Sequence, residues 1–420
     1  MLVRRGLGGD YRRLWTATAV SNVGDGIRET ALPLLAATLT RDPVAVAGVA
    51  FANRLPWLLL SLVSGALVDR WDRRIVMTIA DAARACLMIG LGAAVVTGHA
   101  GVAVLYVAAF LLGSAETLFD NAAHAILPSV VTREDLEKAN GQLEAAMLIG
   151  NNFVGPAIGG LLFVALAASP FFLDGVSFAL AALLVVAMHG RFRPQRKERP
   201  AGATSVVADL RQDIGEGISW LWRQPLLRAL SGMSAVINLV LHATYAIFVL
   251  FALEVLHLSE VAFGLLLVAE AVGSFLGAMV ASRVSARFGP RATIVGAILL
   301  AAATNLLIGV SSAAIFVAAM LVLLSVAGVT WNILTTSMRQ SLVPDELLGR
   351  VNSAHRCLAW GAIPLGALLG GVLASTFGLR MPFLFAAVAL LGVGLVATRV
   401  LTSTGEAEER RADTALPHAA

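Results

Sequence analysis

WLLLSLVSGALVDRWDRRIVMTIADAARACLMIGL, residues 57 to 91, consists of two apolar runs joined by a six-residue turn, DRWDRR, that carries three arginines. Each run extends to about the length of a membrane crossing, since a hydrocarbon core of about 30 Å needs roughly 20 helical residues at 1.5 Å each. In lipid every backbone amide must be satisfied within its own segment, so these runs read as helices and not strands. The same unit recurs along the 420 residues, giving twelve spans near 14–38, 44–68, 75–97, 101–126, 141–166, 170–190, 226–253, 261–282, 292–310, 313–338, 351–375 and 380–400. Composition agrees: 58% of residues are apolar, 14% are charged and the mean hydropathy is +0.81, more apolar surface than one water-soluble core could hide.

Basic residues crowd every second gap. With both termini in the cytoplasm, 26 of the 31 Lys and Arg residues face inward; Arg41 and Arg380 lie outside, and Arg28, Arg54 and Arg84 fall within spans. This is the positive-inside pattern of a multi-pass protein of a cell's inner or plasma membrane. The first span carries Asp25, Arg28 and Glu29 and has no small-residue cleavage site, so it reads as a true span and not a signal peptide. The net charge of +4 is accounted for by topology and lipid headgroups, without nucleic acid. Two cysteines, Cys86 and Cys357, each inside a span, offer neither a disulfide framework nor a zinc site, and read as packing residues.

The chain divides into a bundle over 1–190, a cytoplasmic linker over 191–225, a second bundle over 226–401 and a disordered tail over 402–420. In the linker, Val207, Leu210, Ile214, Ile218 and Leu221 recur at helical spacing opposite Asp209, Arg211, Asp213 and Glu216, which predicts an amphipathic helix on the inner membrane face. The halves echo one another. Gly65 corresponds to Gly277 and Asn140 to Asn352 at an offset of 212, while Gly159 and Gly160 match Gly370 and Gly371 at 211. Six spans is an even number, so the copies share orientation, the parallel repeat expected of a transporter that works by alternating access.

GALVDRWDRRIVM (65–77) resembles the signature loop of the major facilitator superfamily, and GNNFVGPAIGG (150–160) resembles the fifth-span motif of its drug:proton antiporters. SNVGDGI (21–27), ETLFDNAAHAILPSVV (116–131) and LEKANG (136–141) resemble its enterobactin and macrolide exporters. The resemblance implies an all-helical fold of two pseudo-symmetric six-helix bundles acting as a monomer. It also implies a gating loop of Gly65, Asp69, Arg70, Arg73 and Arg74. Chemically, Gly65 permits close helix approach and Asp69 is placed to cap a helix or pair with an arginine; Arg73 and Arg74 are equally explained by the positive-inside rule. In the fifth span Gly150, Gly155, Pro156, Gly159 and Gly160 give a smooth, bent face. Gly273 and Gly277 offer a matching face for it on the eighth span, although such spacing also serves plain packing.

Ionisable groups at membrane depth cost about 2.5–3.5 kcal/mol each on insertion scales and need a reason to be there. Asp25, Arg28 and Glu29 share one face of span 1, Arg54 lies in span 2, Glu116 and Asp120 share one face of span 4, and Glu270 sits near the centre of span 8. One arginine neutralises one carboxylate, and repulsion within each acidic pair favours holding a proton, as an antiporter requires. The alternative is a structural ion-pair network in which Arg28 or Arg54 bridges Asp25 to Glu116. Asp81 and Arg84 read as a helix lock, and His124 and His242 as hydrogen-bonded packing residues. The arginine that many relatives carry in span 4 is missing here.

No nucleotide-binding loop, nucleophile elbow or metal-spaced cluster occurs, which argues against direct ATP drive, enzymatic activity or a cofactor other than the proton gradient. The expected function is export of amphipathic or hydrophobic small molecules by proton antiport. An uptake symporter or uniporter, a lipid flippase, and a non-transporting scaffold or sensor are the alternatives.

Overall fold

A computed structural model describes residues 8–68, 70–190, 192, 215 and 218–415. Its architecture is twelve long helices: α1 (Gly9–Leu39), α2 (Pro43–Val68), α3 (Arg73–Val96), α4 (Val102–Val130), α5 (Leu136–Ala165), α6 (Ser169–Val186), α7 (Pro225–Val255), α8 (Glu260–Phe288), α9 (Pro290–Val310), α10 (Ala314–Leu342), α11 (Asp345–Phe377) and α12 (Met381–Ala415). No strand occurs among the described residues. Eleven of the twelve are long and apolar enough by themselves to cross a membrane. The exception is α1, whose Asp25, Arg28 and Glu29 sit among buried Ile27, Ala31 and Leu34.

Side chains on the outside of the helices are those that lipid would cover. Ile315 is 88% exposed, Val388 70% and Leu183 65%, a cost that water would impose and hydrocarbon does not. Cys86 and Cys357 are exposed as well, a correction to their reading as packing residues: a small apolar thiol is as stable against lipid as inside a bundle.

The contacts group the chain into two compact units, Met1–Ala203 with Ala246–Ala271, and Thr204–Tyr245 with Val272–Ala420. The core of the first gathers Tyr11, Leu14, Met77, Phe119 and Ile126; that of the second gathers Met233, Ile298, Trp331, Val351 and Leu390. Glycines set the helix spacing in both. A Cβ on Gly155 would lie 2.5 Å from Gly26 Cα, and one on Gly159 would lie 2.8 Å from the Ile27 carbonyl oxygen, so α5 rides directly on α1. In the second unit Gly366 and Gly370 of α11 meet the backbone of Leu239 and Ala243 on α7. Fifth-on-first packing is therefore repeated in each half, as the duplicated sequence predicts.

Pro156 leaves its mark one turn upstream. Without its N–H the α-helical ladder of α5 cannot continue, and Leu148–Val154 widens into a π-helical segment in which the Gly155 N–H donates to the Gly150 carbonyl. The expected bend is this bulge. The eighth span does lie against the fifth, but through other residues than the glycines expected: Gly273 and Gly277 pack on Val322, Ser325 and Val326 of α10, while Gly264 and Val261, at least nine residues earlier on α8, meet Pro156 and Gly160 of α5. Four-residue glycine spacing makes a smooth face but does not specify which helix lies against it.

Helix ends follow local chemistry. Gly289, at φ 82°, ends α8 in a conformation that L-residues resist, and Pro290 then starts α9. Beyond Leu401 the last helix runs on to Ala415 instead of beginning a disordered tail, over a stretch rich in helix formers. Of the linker's amphipathic stretch, residues 207–214 and 216 lie outside the described residues; 218–223 are helical, and Leu221 is fully buried in the second unit's core.

Candidate functional site

The spacing of charges on α1 and α4 becomes a network because glycines fix the register of their neighbours. On α4, a Cβ at Gly113 would run into the Asn53 carbonyl of α2, so the two helices touch there. One turn on, Glu116 of α4 comes to Arg54, the residue after Asn53. On α1, Gly24 leaves room for Asp174 and Ser177 of α6, and the next turn sets Arg28 against the same Asp174. Small residues thus position large charges.

Arg28 is the hub. Its Nη2 donates to Asp25 Oδ1 at 2.7 Å and lies 3.6 Å from Glu116 Oε2, while its Nε lies 3.6 Å from Asp174 Oδ2. Arg54 extends the chain, with Nη2 at 3.3 Å from Glu29 Oε1 and Nη1 at 3.9 Å from Glu116 Oε1. The order Asp25, Arg28, Glu116, Arg54, Glu29 links three helices, and Asp174 ties in a fourth. Arg28 therefore does bridge Asp25 to Glu116. Ser177 donates from Oγ to the Asp174 carbonyl at 2.8 Å and to Asp174 Oδ1 at 3.3 Å, which holds that carboxylate toward α1.

A third guanidinium sits deeper. Arg84 of α3 lies 3.5 Å from Asp81 Oδ1, with its charge over the rings of Phe119 at 4.7 Å and Phe178 at 4.9 Å, so one cation joins α3 to α4 and α6. Both members of the pair are buried, as a helix lock requires, yet Arg84 also reaches the cavity below.

A cavity of about 320 Å³ opens beside this network, at the small end of the range for drug-sized ligands. Asp25, Arg28, Glu29, Arg54, Glu116 and Asp120 all line it, together with His124 and Asn151. Asp120 forms no ion pair among the described residues, so it presents an unneutralised carboxyl to the cavity. Glu270 does not line this cavity and has no ion pair among the described residues. It stands apart from the cluster. His242 bonds to the Asn238 carbonyl through its ring nitrogen at 2.9 Å, the packing role expected of it.

Around the signature loop, Arg73 donates to the Ala125 carbonyl of α4 at 2.8 Å and Arg74 to the Met188 carbonyl just past α6 at 2.7 Å. Each satisfies a carbonyl of a neighbouring segment, more than headgroup attraction alone requires. Arg70 is exposed in the turn. Asp69 and the surroundings of Gly65 lie outside the described residues. Asp72 caps α3, its side chain accepting from the Arg74 backbone N–H at 3.0 Å; the cap or arginine pair expected of Asp69 falls outside the described residues.

Sequence reasoning missed Asp174 and Asp72. Asp174 stood alone in SPFFLDGVSF, but an acid inside an apolar run is costly by the same rule that singled out Asp25.

Comparison with known proteins places this geometry. The sequence model for the family of transmembrane secretion effectors, a branch of the major facilitator transporters, matches residues 8–419. The chain is similar to the multidrug efflux pump Tap of Mycolicibacterium fortuitum, at 30% identity over 91% of this chain and 93% of that one. It is also similar to the pump of the same name from Mycobacterium tuberculosis H37Rv, at 29% identity over 91% of each. Among solved structures, a bacterial homologue of the iron transporter ferroportin in an inward-facing state superposes with a TM-score of 0.75 at 17% identity, covering 94% of this chain and 99% of that one. The nucleoside transporter NupG superposes at 0.74 and 12% identity, covering 94% and 99%. The fold is that of the major facilitator transporters, and this chain belongs to their transmembrane secretion effector family.

Proposed function

We propose that the protein exports amphipathic or hydrophobic small molecules across a bacterial plasma membrane, in exchange for protons. Its two halves, joined through 191–225, alternate access, with both termini cytoplasmic and a monomer as the working unit. One observation carries the reading. Six carboxylates at membrane depth (Asp25, Glu29, Asp81, Glu116, Asp120 and Asp174) surround three guanidiniums (Arg28, Arg54 and Arg84), an excess of three negative charges beside a ligand-sized cavity.

That excess is expensive in a weakly hydrated interior unless protons or a ligand relieve it. A proton on Glu116 releases Arg28 and Arg54 toward Asp25, Asp174 and Glu29, and its departure draws them back; Asp120, on the same cavity wall, takes up or gives back a proton without breaking an ion pair. Exchange of a proton for substrate at the same cavity then couples the two fluxes. The similarity to multidrug efflux pumps supports the outward direction. Glu270, which does not line this cavity, is assigned a separate protonation step on α8, and Gly65, Asp69, Arg70, Arg73 and Arg74 a gating role at the cytoplasmic turn.

The test is drug resistance and dye efflux in a pump-deficient bacterium, with wild type beside Asp25→Asn, Glu116→Gln and Asp120→Asn. Loss of efflux at normal expression in at least the span 4 variants is expected. Unchanged efflux in all three would remove the proton-carrier assignment, and accumulation driven by the opposite pH gradient in everted vesicles would make the protein an importer.

A further inference from the structure

The second unit holds a cavity of its own, about 200 Å³, with the reverse electrostatic character. Among the described residues its lining includes Asn238, Trp331, Asn332, Arg339, His355 and Trp360, and no acidic residue. The cavity of the first unit is lined by five carboxylates against three guanidiniums. A half-buried guanidinium facing a cavity ordinarily has an acid to neutralise it. Arg339 has none among the described residues.

Its contacts are all neutral. Nε donates to Asn352 Oδ1 at 2.8 Å and Nη2 reaches Thr336 Oγ1 at 3.5 Å, leaving Nη1 without a hydrogen bond among the described residues. Asn352 thereby fixes the plane of the fork while its charge stays uncompensated. Arg356, stacked 5.2 Å from the ring of the lining residue Trp360, adds to the positive potential. His355 lines the cavity as well, its Nδ1 bonded to Ser231 Oγ at 3.0 Å. Next to this charge the wall is aromatic and aliphatic: Trp331 is 8% exposed, and Ile298 and Leu390 close the apolar end.

We infer that this cavity binds organic anions that carry an aromatic ring, with the anionic oxygens on the Arg339 fork and the ring beside Trp331. A planar fork receives a carboxylate or sulfonate in bidentate fashion, and an indole wall receives a flat ring. The volume suits one or two rings. An anionic lipid headgroup shares the oxygen chemistry but not the need for an aromatic wall. The inference refines the export reading by naming a substrate class, and it concerns binding alone, so it can fail while proton-coupled efflux stands, or the reverse.

The test is equilibrium dialysis of the full-length protein in a neutral detergent against 2-naphthoate, 2-naphthalenemethanol and 2-naphthylmethylammonium, for wild type, Arg339→Gln and Arg339→Lys. Wild type is expected to bind naphthoate about tenfold or more tightly than Arg339→Gln does, with Arg339→Lys in between. The neutral alcohol is expected to bind wild type and Arg339→Gln equally, which also shows that the variant is folded. Equal naphthoate affinity in wild type and Arg339→Gln, or preference for the ammonium probe, overturns the inference. If phosphatidylglycerol added to the micelles at a low mole fraction abolishes naphthoate binding, the site belongs to lipid headgroups and the inference also fails. Should Arg339→Gln not fold, naphthoate affinity in Arg339→Lys equal to that for the alcohol decides against it.

Discussion

Replacing Arg28 by glutamine leaves two carboxylates with little else to neutralise them. Arg28 is 4% exposed and Asp174 fully buried, and Asp174 has no other cation within ion-pair distance among the described residues. At 3.6 Å and an effective dielectric of about 20, the attraction within that pair is roughly 4.6 kcal/mol. Desolvation offsets much of this while both partners are present. Removing one alone leaves the other charge buried and uncompensated, at a cost of about 3–5 kcal/mol. Asp25 and Glu116, at 17% and 21% exposure, have some access to water and lose less.

The double variant Arg28→Gln with Asp174→Asn removes both charges and is expected to recover roughly half of the loss or more, because neighbours in one network are not additive. Reversible unfolding in mixed micelles of wild type, both single variants and the double variant measures the coupling. At about 2–4 °C per kcal/mol for a unit of this size, the Arg28→Gln transition falls by on the order of 6–20 °C. An Arg28→Gln transition within a degree or two of wild type, or strictly additive losses in the double variant, would refute the assignment of Arg28 as the electrostatic hub.

Other perturbations discriminate by mechanism. Gly155→Val drives a side chain into the Gly26 backbone, so the α1–α5 contact opens and stability falls by about 1–3 kcal/mol or more; Gly141→Ala, in open space inside the same helix, raises stability by about 0.5–1 kcal/mol. Asp72→Ala removes the α3 cap and costs about 0.5–2 kcal/mol, while Asp72→Asn or Asp72→Ser recovers most of it in the same unfolding assay. The Arg41–Glu254 pair at 3.4 Å is 61% and 39% exposed, so Glu254→Gln is expected to shift stability by less than about 1 kcal/mol, an effect that vanishes at high salt. Arg84→Lys keeps the charge beside Asp81 but loses the flat stack on Phe119 and Phe178, and melts between wild type and Arg84→Gln.

Much of this molecule is legible from sequence because lipid imposes a simple rule. Apolar length and arginine-rich turns locate the helices to within a few residues, as the match of 101–126 with Val102–Val130 and of 292–310 with Pro290–Val310 illustrates. The acidic cluster is legible for the same reason: a charge in an apolar run declares itself, and spacings of three and four put Asp25, Arg28 and Glu29 on one face. Partner choice is not so legible. Nothing in GxxxG says which helix will lie against it, so Gly273 and Gly277 met α10 and Gly264 took the place beside α5. Asp174 escaped notice because its partner is 146 positions away on α1, joined only through Gly24 and the fold. Asp72 did so because the turn offers two aspartates three apart, and spacing alone does not say which residue starts α3.

The most direct test of proton-coupled export is made with purified protein in liposomes that enclose a pH-sensitive dye. Adding a transported drug under an imposed pH gradient is expected to change the internal pH in proportion to the drug moved, and Glu116→Gln or Asp120→Asn is expected to abolish both fluxes together. Drug movement with no accompanying change in internal pH, whatever the gradient imposed, would contradict it.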